Sequence, residues 1–573
     1  MPSGSKVRWW LLALIPSLSP AAAPSATTPI EHVIVIVGEN RTFDNLFGTY
    51  KPRPGETVGN LLSRGIVLED GSPGPNFALA AQHRAEVLDF YTPTPRISGT
   101  YPRLPQPYAN SAVGQRQDQP DVRFAEGMPN GPFPITRSVS FGAHTGDPVH
   151  RFFQMWQQID GGKMDLFVWT AETAGHGPSN GKESTTPGHT LLGGEPMGFY
   201  NMAQGDAAYF ESLADRFAIA DNYHQPVIGG TTANYFALAT GDVGFFTAAS
   251  QAAVPPPNLI ENPNPQPGTN NWYTEDGYDG GSYVDCADTA APGVAGIRAY
   301  LATLPYQTYH GGNCEPGHFY MVNNLDPGYF PDGSPRQLGP DKFLLPPQII
   351  RNIGDALTAA QVPWKWYSGG RNDSKLIDKE YCHSCDTLVF FTSTMTGPDR
   401  AKLQDLQQFY VDVRDAEHFP AFSVIAPYDS VSGHPGYAME PSFEELVHDI
   451  FDRVRANQKL WQHTVILVTF DEGGGYYDSG YVQPLDFFGD GTRMPLVAIS
   501  PWAKRGHVDH TYYDHVSILK FVERNWGVPP LSARSRDNLP NPVTDPHNPY
   551  VPANRPAIGD LMNLFDFSRP TAH

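Results

Sequence analysis

The chain has 573 residues, of which 40% are hydrophobic and 12% aromatic, and a formal net charge of -21. That apolar content excludes a disordered chain, and 55 Gly with 56 Pro in no fixed period exclude a collagen-like one. The acidic balance excludes a nucleic-acid or anionic-membrane binder working by bulk charge, while the length suits one enlarged α/β domain as well as two or three small ones.

Residues 1–23 read as a secretory signal peptide. Lys6 and Arg8 form a basic start, Trp9 to Leu18 a short apolar run, and Ala21, Ala22 and Ala23 a small-residue cleavage region. The run is about half of the roughly 20 residues a membrane-spanning helix needs, and no later stretch is long and apolar enough. An exported protein (periplasmic or secreted) without a transmembrane anchor is expected. For its four cysteines two disulfides are the default, and pairing by proximity, Cys286 with Cys314 and Cys382 with Cys385, is the simplest of three connectivities. No second C-x-x-C completes a zinc site, and no thioredoxin-like context gives Cys382 and Cys385 a redox role.

In chain order, His32 to Val37 is a continuous β-branched run that predicts a buried central strand, followed at once by GENRTFDNLFG. About 49–136 is rich in Pro, Gly and Gln and reads as an excursion from the scaffold. His150 to Ile159 has helical spacing, YFESLADRF predicts a helix, Phe217 to Tyr223 a strand, and TTANYFALATGD another helix. A second irregular excursion spans about 244–338, with one helix in VAGIRAYLATL. The segment 346–362 predicts a helix, PWKWYS a strand and PAFSVIAP a strand. Ser442 with Glu445 predicts a capping box, with Phe443, Val447 and Phe451 on one helical stripe and Leu446, Ile450 and Val454 on its neighbour. Thr464 to Phe470 and PLVAISP predict strands, SILKFVERNW the last helix. This alternation predicts an α/β scaffold with a mostly parallel sheet flanked by helices on both faces, and no internal repeat.

Ligands of open α/β sheets bind beyond the carboxyl ends of the strands, and three ends carry polar clusters. These are Glu39-Asn40, Asp471-Glu472, and GGTTAN with Thr231 and Thr232. Three carboxylates and an amide form a hard-oxygen set suited to a divalent cation, with Ca, Mg and Mn fitting about equally. A hydroxyl at a helix start faces the positive end of the dipole, where an anion such as phosphate binds. Metal coordination can activate a threonine as nucleophile. In isolation each cluster has a plainer reading: a cap for a helix near Thr42, a turn before GGG, an ordinary N-cap at Thr231. Their coincidence points to phosphoryl transfer to Thr, then hydrolysis.

At these residues the chain resembles the bacterial acid phosphatase/phospholipase C phosphoesterases of the alkaline phosphatase superfamily. The matching stretches are IEHVIVIVGENRTFDNLFGTY, DNYHQPVIGGTTANYFALATGD, the GHP at Gly433 to Pro435, and TFDEGGGYYD. The resemblance implies an alkaline-phosphatase-like sheet and a phosphoesterase domain over 30–527. The two excursions are then insertions, and 528–573 is an irregular tail packed on the domain. It implies a metal held by Glu39, Asn40, Thr231, Asp471 and Glu472, and Thr231 as nucleophile ahead of Thr232. His150 and His434 match family histidines that bind the phosphoryl group or move protons, with Asn234 beside them as substrate-binding. A third histidine falls near His383, where the pattern departs from the family's, and Asp386 is a polar substitute for it. The spacing of His507, His510 and His515 could suit a second metal, but they read rather as a polar loop capping the last helix through Asp514. The implied substrate is a phosphate ester, a monoester or a phospholipid head-group diester. Aromatic residues in Asn271 to Tyr283 and Trp364 to Tyr367 are candidates for a choline cage. No C-x-P-x-R marks a sulfatase. The alternative is a catalytically inactive exported binding protein on the same fold.

Overall fold

The computed structural model describes residues 25–568 apart from 87, 110–118, 174–190, 265–281 and 340–342. The proposed signal peptide at 1–23 lies outside the described residues. Nine strands form one sheet: β1 (His32–Gly38), β2 (Ala218–His224), β3 (Trp364–Ser368), β4 (Leu403–Asp405), β5 (Phe422–Ala426), β6 (Thr464–Phe470), β7 (Arg493–Ile499), β8 (Val508–Asp509) and β9 (Tyr513–Asp514). Their order is β4-β3-β5-β1-β6-β7-β2-β8, with β9 also paired to β2. Every pairing is parallel except the two made by β7. The sheet is therefore mixed and mostly parallel, as the alternation of strands and helices predicted.

The long apolar runs occupy its centre because both faces are covered. Val33 to Val37 of β1 and Val465 to Val468 of β6 are buried throughout. Helices α1 (Phe43–Phe47), α2 (Phe152–Ile159), α3 (Ala208–Arg216), α4 (Thr231–Thr240), α5 (Val294–Leu301), α6 (Ile353–Ala359), α7 (Glu440–Ala456) and α8 (Val516–Trp526) surround or extend it. Successive strand residues point to opposite faces. Phe470 meets Phe210 of α3 and Phe443 of α7 at 6.2 and 5.2 Å between ring centroids. Thr469 faces the other side, toward Tyr223, whose hydroxyl lies 2.6 Å from His515 Nδ1 at the start of α8. Helices thus lie on both faces.

Two local expectations are corrected. The helix predicted over 346–362 is confined to α6, because Pro346 and Pro347 cannot continue a helical hydrogen-bond ladder and Asn352 with Asp355 forms a capping box. Ser442 is not an N-cap: α7 begins two residues earlier at Glu440, with Pro441 in its first turn, so Ser442 lies inside the helix. Both excursions are irregular between short elements. The disulfides are Cys286–Cys314 and Cys382–Cys385, the pairing by proximity. Beyond α8 the chain packs back on the sheet domain, with Ile558, Leu561 and Leu564 fully buried. Among the described residues no helix is long and apolar enough to cross a membrane.

Candidate active site

β1 and β6 are neighbours, with Gly38 in register with Phe470, so their two polar ends emerge side by side. The ladder continues past both strands: Asp471 N donates to Gly38 O (3.0 Å) and Arg41 N to Glu472 O (3.1 Å). Asn40 adopts φ 64°, a left-handed conformation that Asn tolerates. This turns its amide N–H onto Asp471 Oδ1 (3.2 Å), which also accepts from Glu472 N (2.8 Å). Gly474 must be glycine, since it has φ +57° and a Cβ there would lie 2.6 Å from Asn40 Cβ.

Thr231 is the first residue of α4, and its hydroxyl lies beside the Asp471 carboxylate, whose Oδ2 is buried with no hydrogen-bond partner. Two glycines bring it there: a Cβ on Gly229 would lie 2.4 Å from Val322 O, and one on Gly230 2.5 Å from Asn324 Oδ1. Thr232 points away, its hydroxyl donating to Leu325 O (3.2 Å). Asn234 does not reach the cavity. It accepts from Val227 N (3.0 Å) and donates to Gly229 O (2.9 Å) and Gly230 O (3.1 Å), so it holds the loop that presents Thr231.

His150 and His434 face the same cluster, their rings 6.4 Å apart. Each hydrogen-bonds a carbonyl through Nδ1, His150 to Pro148 O (2.7 Å) and His434 to Pro435 O (2.5 Å). A carbonyl only accepts, so the proton sits on Nδ1 in both and Nε2 is an acceptor. His434 Nε2 therefore requires the NH2 group of Asn40, 2.9 Å away. The other end of that amide, Asn40 Oδ1, is left buried with no hydrogen-bond partner, as is His150 Nε2. Burial holds the His150 imidazole down at about 4 and that of His434 at about 3, so both are neutral near neutrality.

The carboxyls move the opposite way. Burial pushes Asp471 up to about 7. It pushes Glu39 and Glu472 well above the usual carboxylate range, reinforced in each by the charge on Asp471. Three buried acids, two of them raised further by the charge of the third, with a free amide oxygen beside them, form a donor set that a hard divalent cation would satisfy. The residues thus fit the implied metal chemically, although the three carboxylates stand apart. Among the described residues, the His, Cys and acidic ligand atoms that close within 4.8 Å of one another are those of Glu39, Cys382 and Cys385.

Above the cluster opens a cavity of about 440 Å³, lined by Glu39, Thr231, His434 and His383 among others. His383 is at its wall, Nδ1 3.3 Å from Asp326 Oδ1. Asp386 is no substitute for it: that carboxylate is buried against Arg371 and accepts from Tyr381 Oη (2.6 Å). Sequence reasoning missed several lining residues. Asp147 stands three residues before His150 and Tyr437 three after His434, and Asp326 and Asn324 come from the second excursion. Tyr437 stacks on His434 at 4.2 Å, and its hydroxyl donates to Glu39 Oε2 (3.3 Å). Only proximity to a predicted histidine marked the first two.

The remaining leads separate. His507 pairs with Glu56 (3.0 Å), His510 with Asp221 (2.7 Å), and His515 Nε2 donates to Asp471 O (2.9 Å). Asp514 Oδ1 accepts from Ser517 N (3.2 Å), which is the helix cap expected of that loop. Most of the aromatic stretch Asn271 to Tyr283 lies outside the described residues. Trp366 and Tyr367 are buried in β3 and form no cage.

The model of the Phosphoesterase family matches residues 30–529. A hemolytic phospholipase C of Pseudomonas aeruginosa is 29% identical over 256 residues, 37% of this chain and 32% of that protein. Phospholipase C B of Mycobacterium tuberculosis is 22% identical over 573 residues, covering 96% of this chain and 80% of that one. A probable acid phosphatase of Kluyveromyces lactis is 25% identical over 233 residues, 38% of this chain and 52% of that protein. Among solved structures, a protein in the alkaline phosphatase superfamily from Vibrio parahaemolyticus matches 56% of this chain and 60% of its own at 10% identity and a TM-score of 0.24, too distant a likeness to bear on function.

Proposed function

The chain belongs to the Phosphoesterase family and is a hydrolase of phosphoric ester bonds, and we propose that it works through Thr231. The Thr231 oxygen attacks phosphorus, the bond to the leaving alcohol breaks, and the resulting phosphothreonine is cleaved by water. The observation that carries this reading is the Thr231 side chain, at the start of α4, lining the cavity beside buried Asp471. In this reading Asp471 Oδ2, buried without a partner, is the acceptor toward which that hydroxyl turns, and the positive end of α4 favours the phosphoryl group. Neutral His150 offers an unpartnered Nε2 lone pair to a proton, His434 carries one that Asn40 occupies until substrate displaces it, and His383, on the cavity wall beside Asp326, is the group assigned in this reading to the leaving oxygen. A divalent cation (Ca, Mg or Mn) held by Glu39, Asn40 Oδ1, Thr231, Asp471 and Glu472 would lower the hydroxyl pKa and offset phosphoryl charge.

The phosphoesterase domain in this reading is 30–527, with 49–136 and 244–338 as insertions and 528–573 as a tail. The substrate is a phosphate ester, with phospholipid head groups within the class. Export fits the two disulfides, which persist in oxidising compartments.

The test offers a chromogenic phosphate monoester and a phosphorylcholine diester, with and without chelator. Turnover should need the cation. T231A should lower kcat by at least about a thousandfold while T231S keeps activity, and acid quenching should trap phosphate on the peptide bearing Thr231. No turnover of either ester with cation supplied would instead leave a binding protein on the same fold.

A further inference from the structure

The Cys382–Cys385 disulfide lies at the wall of the cavity, and nothing in the hydrolysis above uses it. Cys385 Sγ is 2.9 Å from Glu39 Oε1. A disulfide sulfur carries no proton, so this is a close contact without a hydrogen bond. Opened, the two sulfurs become a C-x-x-C pair, a spacing that suits thiolate binding of zinc-like ions. Cys385 N–H donates to Cys382 Sγ (3.2 Å), and Ser384 Oγ lies 3.3 Å from the same atom. The two sulfurs and a Glu39 oxygen are within 4.8 Å of one another, with Glu39 and Cys385 buried and Cys382 half-buried. Cys382 lines the cavity, which gives an ion a way in.

We propose that reduction of this disulfide creates a second metal site, formed by Cys382, Cys385 and Glu39, for a soft divalent cation such as Zn²⁺ or Cd²⁺. A dithiol supplies the two electrons and two protons: the S–S bond breaks, each cysteine becomes a thiol, and the dithiol closes to its own disulfide. Binding the ion displaces both thiol protons, and Glu39 adds an oxygen ligand. Glu39 is then withdrawn from the hydrolytic cluster. That consequence rests on the function proposed above; the site itself does not.

The probe is cadmium, titrated into the full chain after dithiol treatment and removal of the dithiol, and read by the thiolate-to-cadmium charge-transfer band in the ultraviolet. Circular dichroism follows the fold. The band should appear in reduced wild type and reduced C286A/C314A, and be absent from the oxidised protein and from reduced C382S/C385S. E39Q should weaken cadmium affinity by at least about tenfold. Cadmium should also protect Cys382 and Cys385, but not Cys286 and Cys314, from alkylation. Overturning results are a reduced protein that unfolds or shows no band, a band that survives C382S/C385S, or unchanged affinity in E39Q. None of these readings depends on ester hydrolysis, so the two proposals fail separately.

Discussion

Asp471 accepts from Asn40 N and Glu472 N and stands beside the Thr231 hydroxyl, yet burial still raises it from 3.8 to about 7. The sign of the pH effect follows from that direction. A carboxyl raised in the folded state stabilises the fold while protonated, and that contribution is lost as pH rises from 3.8 through about 7. Without added cation, the melting temperature of the wild type should therefore fall relative to D471N as pH is raised from about 5 to about 8. A saturating divalent cation should abolish that fall. A parallel pH course for the two proteins without cation would refute the burial argument. Cation affinity should also rise with pH as Asp471, Glu39 and Glu472 ionise, because protons and cation compete for the same carboxylates.

Helix α4 presents Thr231 only because the turn before it is held in place. Asn234 satisfies the Val227 amide and the Gly229 carbonyl of that turn and shares the Gly230 carbonyl with two backbone N–H groups. Asn234→Ala strands the first two groups, so it should cost about 1–3 kcal/mol in urea unfolding and lower kcat along with stability. A raised KM with unchanged stability would instead restore Asn234 to substrate binding. The same turn explains the glycines: without Gly229 and Gly230 the backbone could not approach Val322 and Asn324 of the second excursion.

Across the whole molecule, the loops that carry the ligands are tied together by one arginine. Arg493, at the start of the antiparallel strand β7, is fully buried. It donates to both Asp478 oxygens (2.9 Å each) and to Asp44 Oδ2 (3.2 Å). Asp478 lies six residues after Glu472 and Asp44 five after Glu39, so a single guanidinium fixes both strand-end loops. Arg493→Met leaves two buried carboxylates without their partner and should cost about 3–5 kcal/mol. Denaturant midpoints measure this, and a loss under about 1 kcal/mol would show that the loops are held by other means.

The amino-acid sequence alone determined the strands and most helices, because continuous apolar runs and 3.6-residue stripes are local signals of burial. It also determined which residues stand at the ends of β1 and β6 and at the start of α4, and the structure brings Glu39, Asn40, Thr231, Asp471, Glu472, His150 and His434 together. It failed at two helix ends, and wherever the deciding partner is distant in the chain. The start of α7 and the shortening of α6 depended on prolines and caps competing within a few residues. The facing of Asn234 toward its own turn, and of Asp386 toward Arg371, depended on packing that periodicity does not encode. Asp147, Asp326 and Tyr437 carry no motif of their own, and the loop-rich excursions hide such residues. The C-x-x-C had no second pair in the sequence to complete a metal site; only the tertiary structure set Glu39 against it, 346 residues away. Sheet order is fixed by which apolar faces bury one another, and that choice decided which polar groups meet.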